Sequence, residues 1–232
     1  MRAAIVASAL LLCSACTQAP VQPVPVAAPV AQAAPTPPPP PAYPPAAPPK
    51  AVTPDKDHPL VRIDTNLGSI TVQLDHERAR LSVENFLHYV NSHYYDNTSF
   101  YRIVPGFVIQ GGDITADYKE KPADKPAIPN ESGNGLSNGR GTIALARGDD
   151  AHSATSSFYI NLVDNGAHLG PRGDRWGYAV FGIVVDGLDV VDKIAAVPNG
   201  PVPTFDKKDT LPNAPLTPVT ILKVTELPLA KP

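Results

Sequence analysis

A Pro-Gly pair between two short apolar runs constrains the fold of this 232-residue chain more than any other feature. The pair is Pro105-Gly106, within the sequence FYRIVPGFVIQGGD. Proline presets φ for a turn and glycine accepts positive φ, while β-branched and aromatic neighbours favour half-buried strands. The pattern therefore predicts strand, turn, strand. Because alternate residues of a strand share a face, we expect Arg102 and Gln110 to line one groove beside Phe107.

Proline also divides the chain into two parts. More than half of the 29 prolines precede Leu60, and residues 17–59 are dominated by Pro, Ala, Val and Gln. Such a segment cannot bury enough apolar surface to offset chain entropy, so we expect a disordered, semi-stiff spacer of polyproline II character. A P-x-x-P ligand for a partner domain is the alternative. Residues 60–227 have the size of one globular domain, and residues 228–232 form a short tail.

The first residues resemble a bacterial lipoprotein signal. A short positive start precedes an apolar run that is too short to span a bilayer as a helix. Cys16 follows two small residues, as lipidation requires, although Cys13 stands where the pattern usually has Leu. We therefore expect residues 1–16 to be a signal peptide ending at a lipidated Cys16, which anchors the chain to a membrane of the bacterial cell envelope. Thr17 favours the outer membrane, facing the periplasm.

Two alternatives for this N-terminal segment stay open. Ordinary signal cleavage after an alanine would release a soluble periplasmic protein. Cys13 and Cys16 also form a C-x-x-C pair, but no second pair of ligands accompanies it in the sequence. Because the chain has only these 2 cysteines, its globular part has no disulfide or thiolate chemistry.

The globular part has the pattern of an all-β domain with two helical segments. Strands are expected at residues 60–64, 69–74, 142–146, 158–162, 180–185 and 219–225. One helix is expected after Ser82 as its N-cap, and a second at residues 188–195. Residues 201–218 are expected to be a loop. In the last strand Val219 and Ile221 should pack inward, with Leu222 as a further candidate. Many short strands at regular spacing indicate a barrel or a sandwich.

Three blocks of the sequence resemble the cyclophilin family of peptidyl-prolyl cis-trans isomerases. The first is FYRIVPGFVIQGG, the second comprises RGTIALA and SSFYIN, and the third is YAVFGIVVDGLDVVDKI. The blocks follow the family's order, and the resemblance extends over residues 60–227. It implies the cyclophilin fold, an all-β closed barrel of eight antiparallel strands capped by two α-helices.

The resemblance also implies a mechanism centred on Arg102. Rotation about an X-Pro bond is slow because of amide resonance, and a catalyst must bind the twisted amide more tightly than either planar isomer. A permanently charged guanidinium can donate to the prolyl nitrogen, whose lone pair is exposed by twisting. Phe107 and Gln110 complete the implied catalytic set. The residues implied to bind substrate are Val108, Ala146, Arg147, Ser157, Tyr159, His168, Leu169 and Tyr178.

Five of these positions depart from the family's usual residues. Val108 stands where Met is usual, and Tyr159 where Phe is usual, so both keep an apolar wall. Ser157 stands where Gln is usual, which shortens or removes one hydrogen bond to substrate. His168 lies near the position of the family's Trp. Tyr178 replaces the family's His, a change that resembles the bacterial periplasmic branch.

We therefore expect a prolyl isomerase that acts on proline-containing polypeptides, assists the folding of exported proteins, uses no metal or other cofactor, and is a monomer. A formal net charge of -3 offers no reason to expect nucleic-acid binding. One alternative is a binding or chaperone module that isomerises poorly, which Ser157 and His168 favour. Another is an adhesin or structural envelope protein built on the Pro-rich segment. The RGD at residues 147–149 suggests adhesion by itself, but three-residue matches are common.

Overall fold

The computed structural model describes residues 53–173 and 175–229, and the expectations for residues 1–16 and for most of 17–59 lie outside these ranges. The strands are β1 Leu60–Thr65, β2 Gly68–Leu74, β3 Thr98–Ser99, β4 Arg102–Val104, β5 Val108–Gly111, β6 Thr142–Leu145, β7 Phe158–Asn161, β8 Val180–Asp186, β9 Asn199–Pro203, β10 Thr210–Pro215 and β11 Thr220–Glu226. The helices are α1 Arg80–Asn91, α2 Gly166–Leu169 and α3 Leu188–Ala195.

Nine of the strands form one antiparallel sheet. Their order is β3, β11, β1, β2, β8, β6, β7, β5 and β4. The two outermost strands, β3 and β4, are consecutive in the chain and are separated only by Phe100 and Tyr101. The two edge strands of the curled sheet are therefore joined at one end by a two-residue link. This confirms the predicted all-β fold, with nine strands in the sheet where the resemblance implied eight.

The inner face of the curled sheet and two helices enclose the core. Alternate residues of β1 and β2 are fully buried, as the period of a half-buried strand requires. Helix α1 packs against β8 and β11, and α3 packs against β2, β4 and β5. Phe86 of α1 lies at the centre, with its ring centroid 5.1 Å from that of Phe181 and 5.6 Å from that of Phe158. No helix within the described ranges is long and apolar enough to cross a membrane.

The start of α1 and one inward-facing residue differ from the prediction. Ser82 is not the N-cap, because the helix begins at Arg80. The carboxylate of Glu131 instead accepts the backbone N–H groups of Leu81 and Ser82, at 3.0 and 2.8 Å. In β11 the side chain of Leu222 is 49% exposed, so the prediction that it packs inward is wrong.

Regular structure also occurs outside the predicted strands and helices. Strands β9 and β10 pair as a separate two-stranded ribbon, which begins at Asn199 and otherwise lies in residues 201–218, predicted to be a loop. Proline is tolerated there because both strands are edges, so a missing N–H need not break a ladder. The register of the ribbon shifts between Leu211 and Ala214. The short helix α2 lies in the loop before β8 and positions Leu169 at the site described below.

Candidate active site

Most of the residues singled out from the sequence line one cleft of about 210 Å³. They come from β4, β5 and β7 at one end of the sheet order, from the β4–β5 turn and from the residues after β6. The end of α2 and the segment between α2 and β8 supply the others. The lining residues are Arg102, Phe107, Val108, Gln110, Ala146, Arg147, Tyr159, Leu169 and Tyr178. The fold thus brings together side chains separated by more than 70 positions in the sequence.

The register of the strands places Arg102 and Gln110, the polar pair of the cleft, next to each other. In the β4–β5 hairpin Arg102 is directly opposite Gln110, and in the next ladder Gln110 is opposite Tyr159. Directly opposed residues of neighbouring strands share a face, so the three side chains form one row across the sheet. The turn is the predicted one: the Phe107 N–H donates to the Val104 carbonyl at 3.0 Å, and Gly106 has a φ of 72°.

The apolar wall of the cleft is a small cluster separate from the main core. Val108, Ala146 and Tyr159 are buried, and Phe107, Leu169 and Tyr178 pack against this cluster. The Tyr159 hydroxyl turns away and donates to Asn138 Oδ1 at 2.7 Å. Burial raises the pKa of the Tyr159 phenol well above its usual value, so the group is neutral. The wall can therefore hold a small apolar ring.

Arg102 and Gln110 are held by hydrogen bonds that continue beneath the cleft. Arg102 Nη1 donates to Gln110 Oε1 at 3.1 Å, using one of the five N–H donors of the guanidinium. Gln110 Nε2 donates to Tyr101 Oη at 2.6 Å. Sequence reasoning missed Tyr101, because an aromatic residue beside an apolar run is typical of a core position. Both cleft side chains are half-buried, which places a positive charge beside an apolar surface.

Arg147 forms another side of the cleft. Its guanidinium carbon lies 4.6 Å from the centroid of the Tyr178 ring, and its Nη2 donates to the Trp176 carbonyl at 3.1 Å. These contacts tie the segment before β8 to the segment after β6. The Tyr178 ring in turn meets the Tyr159 ring edge-on, with centroids 5.8 Å apart. The side chain of Arg147 thus stabilises the wall of the cleft.

Ser157 and His168 do not line the cleft. Ser157 is 8% exposed and lies under it, with its Oγ 3.2 Å from Tyr101 Oη. His168 is exposed on α2, where its backbone carbonyl accepts a hydrogen bond from Arg175. Among the residues that the structure describes, no three His, Cys, Asp or Glu side chains are grouped so as to hold a metal ion.

The fold and the cleft define a mainly β protein with a small apolar binding site lined by two arginines, Arg102 and Arg147. The chain belongs to the cyclophilin family. Residues 60–226 match the family described as cyclophilin type peptidyl-prolyl cis-trans isomerase/CLD. It is accordingly an enzyme, a peptidyl-prolyl cis-trans isomerase, as the names of its curated relatives also indicate.

Three bacterial relatives have that name. The peptidyl-prolyl cis-trans isomerase of Acinetobacter baylyi is 44% identical over 162 residues, which are 70% of this chain and 84% of that protein. Isomerase A of Dickeya dadantii is 49% identical over 137 residues, which are 59% of this chain and 71% of the relative. Isomerase B of Escherichia coli is 46% identical over 143 residues, or 61% and 87% of the two chains.

Two solved structures show the same fold at low sequence identity. A Cryptosporidium parvum cyclophilin, determined in the presence of the dipeptide Ala-Pro, has a TM-score of 0.59 and 22% identity, covering 73% of this chain and 99% of its own. A cyclophilin from Hirschia baltica has a TM-score of 0.57 and 19% identity, covering 75% of each chain.

Proposed function

We propose that this chain isomerises X-Pro bonds of exported polypeptides and thereby assists their folding, with Arg102 stabilising the twisted amide. The observation that carries the proposal is the row of Arg102 and Gln110 beside the apolar wall of Val108 and Tyr159. The Ala-Pro dipeptide present with the C. parvum cyclophilin supports proline-containing peptides as ligands.

In this mechanism the cleft acts only by binding. Without a catalyst the isomerisation takes about 10–100 s at room temperature. The proline ring packs on the wall made by Phe107, Val108 and Tyr159. As the amide twists, its nitrogen gains a lone pair, and Arg102 donates to that nitrogen more strongly than to either planar isomer. Gln110 holds both the substrate backbone and the guanidinium.

The first test compares Arg102→Ala with the unchanged full chain on a peptide containing Ala-Pro. We expect kcat/KM to fall by about 10²-fold, which is about 2.7 kcal/mol of transition-state stabilisation. Arg62→Ala is the matched control, because Arg62 is an exposed strand arginine paired with Asp64 at 3.1 Å and should leave the rate unchanged. Exchange NMR measures both rates.

Two outcomes would contradict the proposal in different ways. Undiminished turnover in Arg102→Ala would leave an isomerase with another mechanism. Absence of turnover in the unchanged chain, with proline peptides still bound, would favour the binding or chaperone module. The position of Ser157 beneath the cleft favours that second candidate, because among the described residues Gln110 is the one cleft residue whose side chain is hydrogen-bonded to Ser157 Oγ.

We further propose that a lipid on Cys16 anchors the chain in the outer membrane, with residues 17–59 as the spacer and the domain in the periplasm. The support is the sequence alone: small residues before Cys16, and Thr17 after it. Cys16→Ser should move the protein from the membrane fraction to the soluble fraction, whereas Cys13→Ser should not. Mass spectrometry that finds an unmodified mature N-terminus would disprove the anchor. We also propose a monomer, which light scattering tests.

A further inference from the structure

We propose that Tyr101 is a positioning residue, whose buried hydroxyl sets the orientation of the Arg102 guanidinium through Gln110. The inference rests on the proposed function of Arg102 and adds a residue that does not line the cleft. Tyr101 is 7% exposed and lies behind Gln110, in the two-residue link between the edges of the sheet.

Four hydrogen bonds connect the guanidinium to the backbone of β5. Arg102 donates to Gln110 Oε1, and Gln110 Nε2 donates to Tyr101 Oη, at 3.1 and 2.6 Å. Tyr101 Oη lies 3.2 Å from Ser157 Oγ, and Ser157 Oγ donates to the Gly111 carbonyl at 3.4 Å. The path begins at a cleft cation and ends at a rigid strand.

The chemistry of the groups fixes the direction of the first two bonds. A guanidinium only donates, so Gln110 must present its oxygen to Arg102 and its amide nitrogen to the other side. Tyr101 Oη accepts that N–H and keeps its own proton for a neighbouring acceptor, either Ser157 Oγ or the Asp113 carboxyl group. Burial raises the pKa of the Tyr101 phenol well above its usual value, so the hydroxyl keeps the proton that this arrangement requires.

Without the Tyr101 hydroxyl, the Gln110 amide nitrogen loses its short acceptor at 2.6 Å and keeps only the longer contact with Ser157 Oγ at 3.4 Å. Rotation of the amide by half a turn would then place its NH₂ group against the guanidinium, where two donors face each other. The amide would populate both orientations, and the guanidinium would lose one fixed contact. A donor aimed at a developing lone pair must be held in place before the reaction, so the effect belongs to the transition state rather than to binding.

Tyr101→Phe removes this hydroxyl and keeps the ring. We expect kcat to fall by about 5- to 10-fold with KM nearly unchanged, as for the loss of one hydrogen bond that supports only the transition state. Tyr95→Phe is the matched control. Tyr95 is fully buried and its hydroxyl donates to the Ser156 carbonyl at 2.9 Å, so the control loses an equivalent bond outside the path. It should keep the rate of the unchanged chain.

A double-mutant cycle tests whether Tyr101 acts through Gln110. In a Gln110→Ala background, Tyr101→Phe should have no further effect on kcat, because the connecting amide is already absent. Independent losses that add would overturn the inference, as would full activity of Tyr101→Phe. A loss of activity in Tyr95→Phe as large as that in Tyr101→Phe would overturn it too, because the effect would then be general destabilisation.

A measurement without substrate separates this inference from the proposed function. The guanidinium NMR resonances of Arg102 should shift or broaden in Tyr101→Phe and stay unchanged in Tyr95→Phe. If they stay unchanged in both, Tyr101 does not position Arg102, whatever the activity of the chain. If they change as expected while Arg102→Ala remains fully active, the positioning is correct and the catalytic role of Arg102 is wrong.

Discussion

A single carboxyl group behind the cleft is unusual in its surroundings. Asp113 follows the two glycines after Gln110, and its Oδ1 is buried with no hydrogen-bond partner among the described residues. Burial is the main cause that raises the pKa of the Asp113 carboxyl above its usual value of 3.8, and the nearby hydroxyls of Tyr101 and Ser157 offset this only in part. The folded protein therefore holds the Asp113 proton more tightly than the unfolded chain does.

This pKa shift predicts that the ionised Asp113 lowers the free energy of unfolding at neutral pH. The pKa of Asp113 is higher in the folded protein than in the unfolded chain. Its contribution to the free energy of unfolding therefore falls as the pH rises from the unfolded-state pKa through the folded-state pKa. Asp113→Asn removes the charge and should be more stable than the unchanged chain at about pH 7, with the difference shrinking towards about pH 4. Urea denaturation at both pH values measures this. The exposed Asp186→Asn serves as control; greater stability of the unchanged chain at neutral pH would refute the prediction.

At the scale of elements, helix α1 depends on a residue far from it in sequence. Each carboxylate oxygen of Glu131 accepts a hydrogen bond from a backbone N–H in the first turn of α1. Glu131 Oε2 also accepts one from the Ser82 hydroxyl at 2.7 Å. A negative charge near a helix N-terminus also interacts favourably with the positive end of the helix dipole. The loop after β5 thus supplies the cap that the helix's own sequence lacks.

Glu131→Ala should therefore lower the free energy of unfolding by about 1–2 kcal/mol, because the first turn loses its acceptors. Glu84→Ala is the control: Glu84 lies on the exposed face of the same helix and pairs with Arg80 at 2.8 Å. We expect little change there, since exposed ion pairs contribute little. Equal effects of the two substitutions in thermal or urea unfolding would show that Glu131 is not a cap.

Helix α3 depends instead on the glycine that precedes it. Gly187 has a φ of 85°, and a Cβ there would lie 2.4 Å from the Ser69 carbonyl oxygen. Gly187→Ala should lower the free energy of unfolding by at least about 1–3 kcal/mol, the cost of a left-handed residue with a side chain. Gly133→Ala, which meets nothing within 4 Å, should be tolerated. Melting temperatures that fall equally in both variants would contradict this.

What could be predicted from sequence depended on how local the signal was. The bounds of α3 and the strand-turn-strand of β4 and β5 follow from short patterns, and the structure confirms both. The start of α1 could not be predicted, because Glu131 lies 49 positions from Ser82. The β9–β10 ribbon was missed because its prolines, which usually mark loops, lie in edge strands. Tyr101 was missed because hydrogen bonds between neighbouring strands produce no periodic pattern in the sequence.

At the scale of the whole molecule, the last strand lies inside the sheet. β11 pairs with β1 on one side and with β3 on the other. Alternation predicted that this strand exists, but only the family resemblance could indicate its neighbours. Its residues Ile221 and Val224 are buried in the main core. The sheet is therefore incomplete without the end of the domain.

Deletion of residues 219–232 should abolish the cooperative unfolding transition, because β1 and β3 would both lose their partner and the core would open. Deletion of residues 228–232 is the control, since Pro228 and Leu229 are exposed. It should keep the free energy of unfolding of the unchanged chain. A cooperative transition in the shorter chain, followed by circular dichroism, would show that the curl of the sheet is stable without β11.

The position of β11 also determines when the domain can form during biosynthesis. Asn66 accepts a hydrogen bond from the Thr220 N–H across 154 residues, so nearly the whole domain must emerge before that contact exists. A nascent chain leaves the ribosome from its N-terminus. The residues of β1 and β2 are therefore released long before those of β11. Contacts so distant in sequence slow folding. The complete sheet therefore forms only after nearly all of the domain has been released.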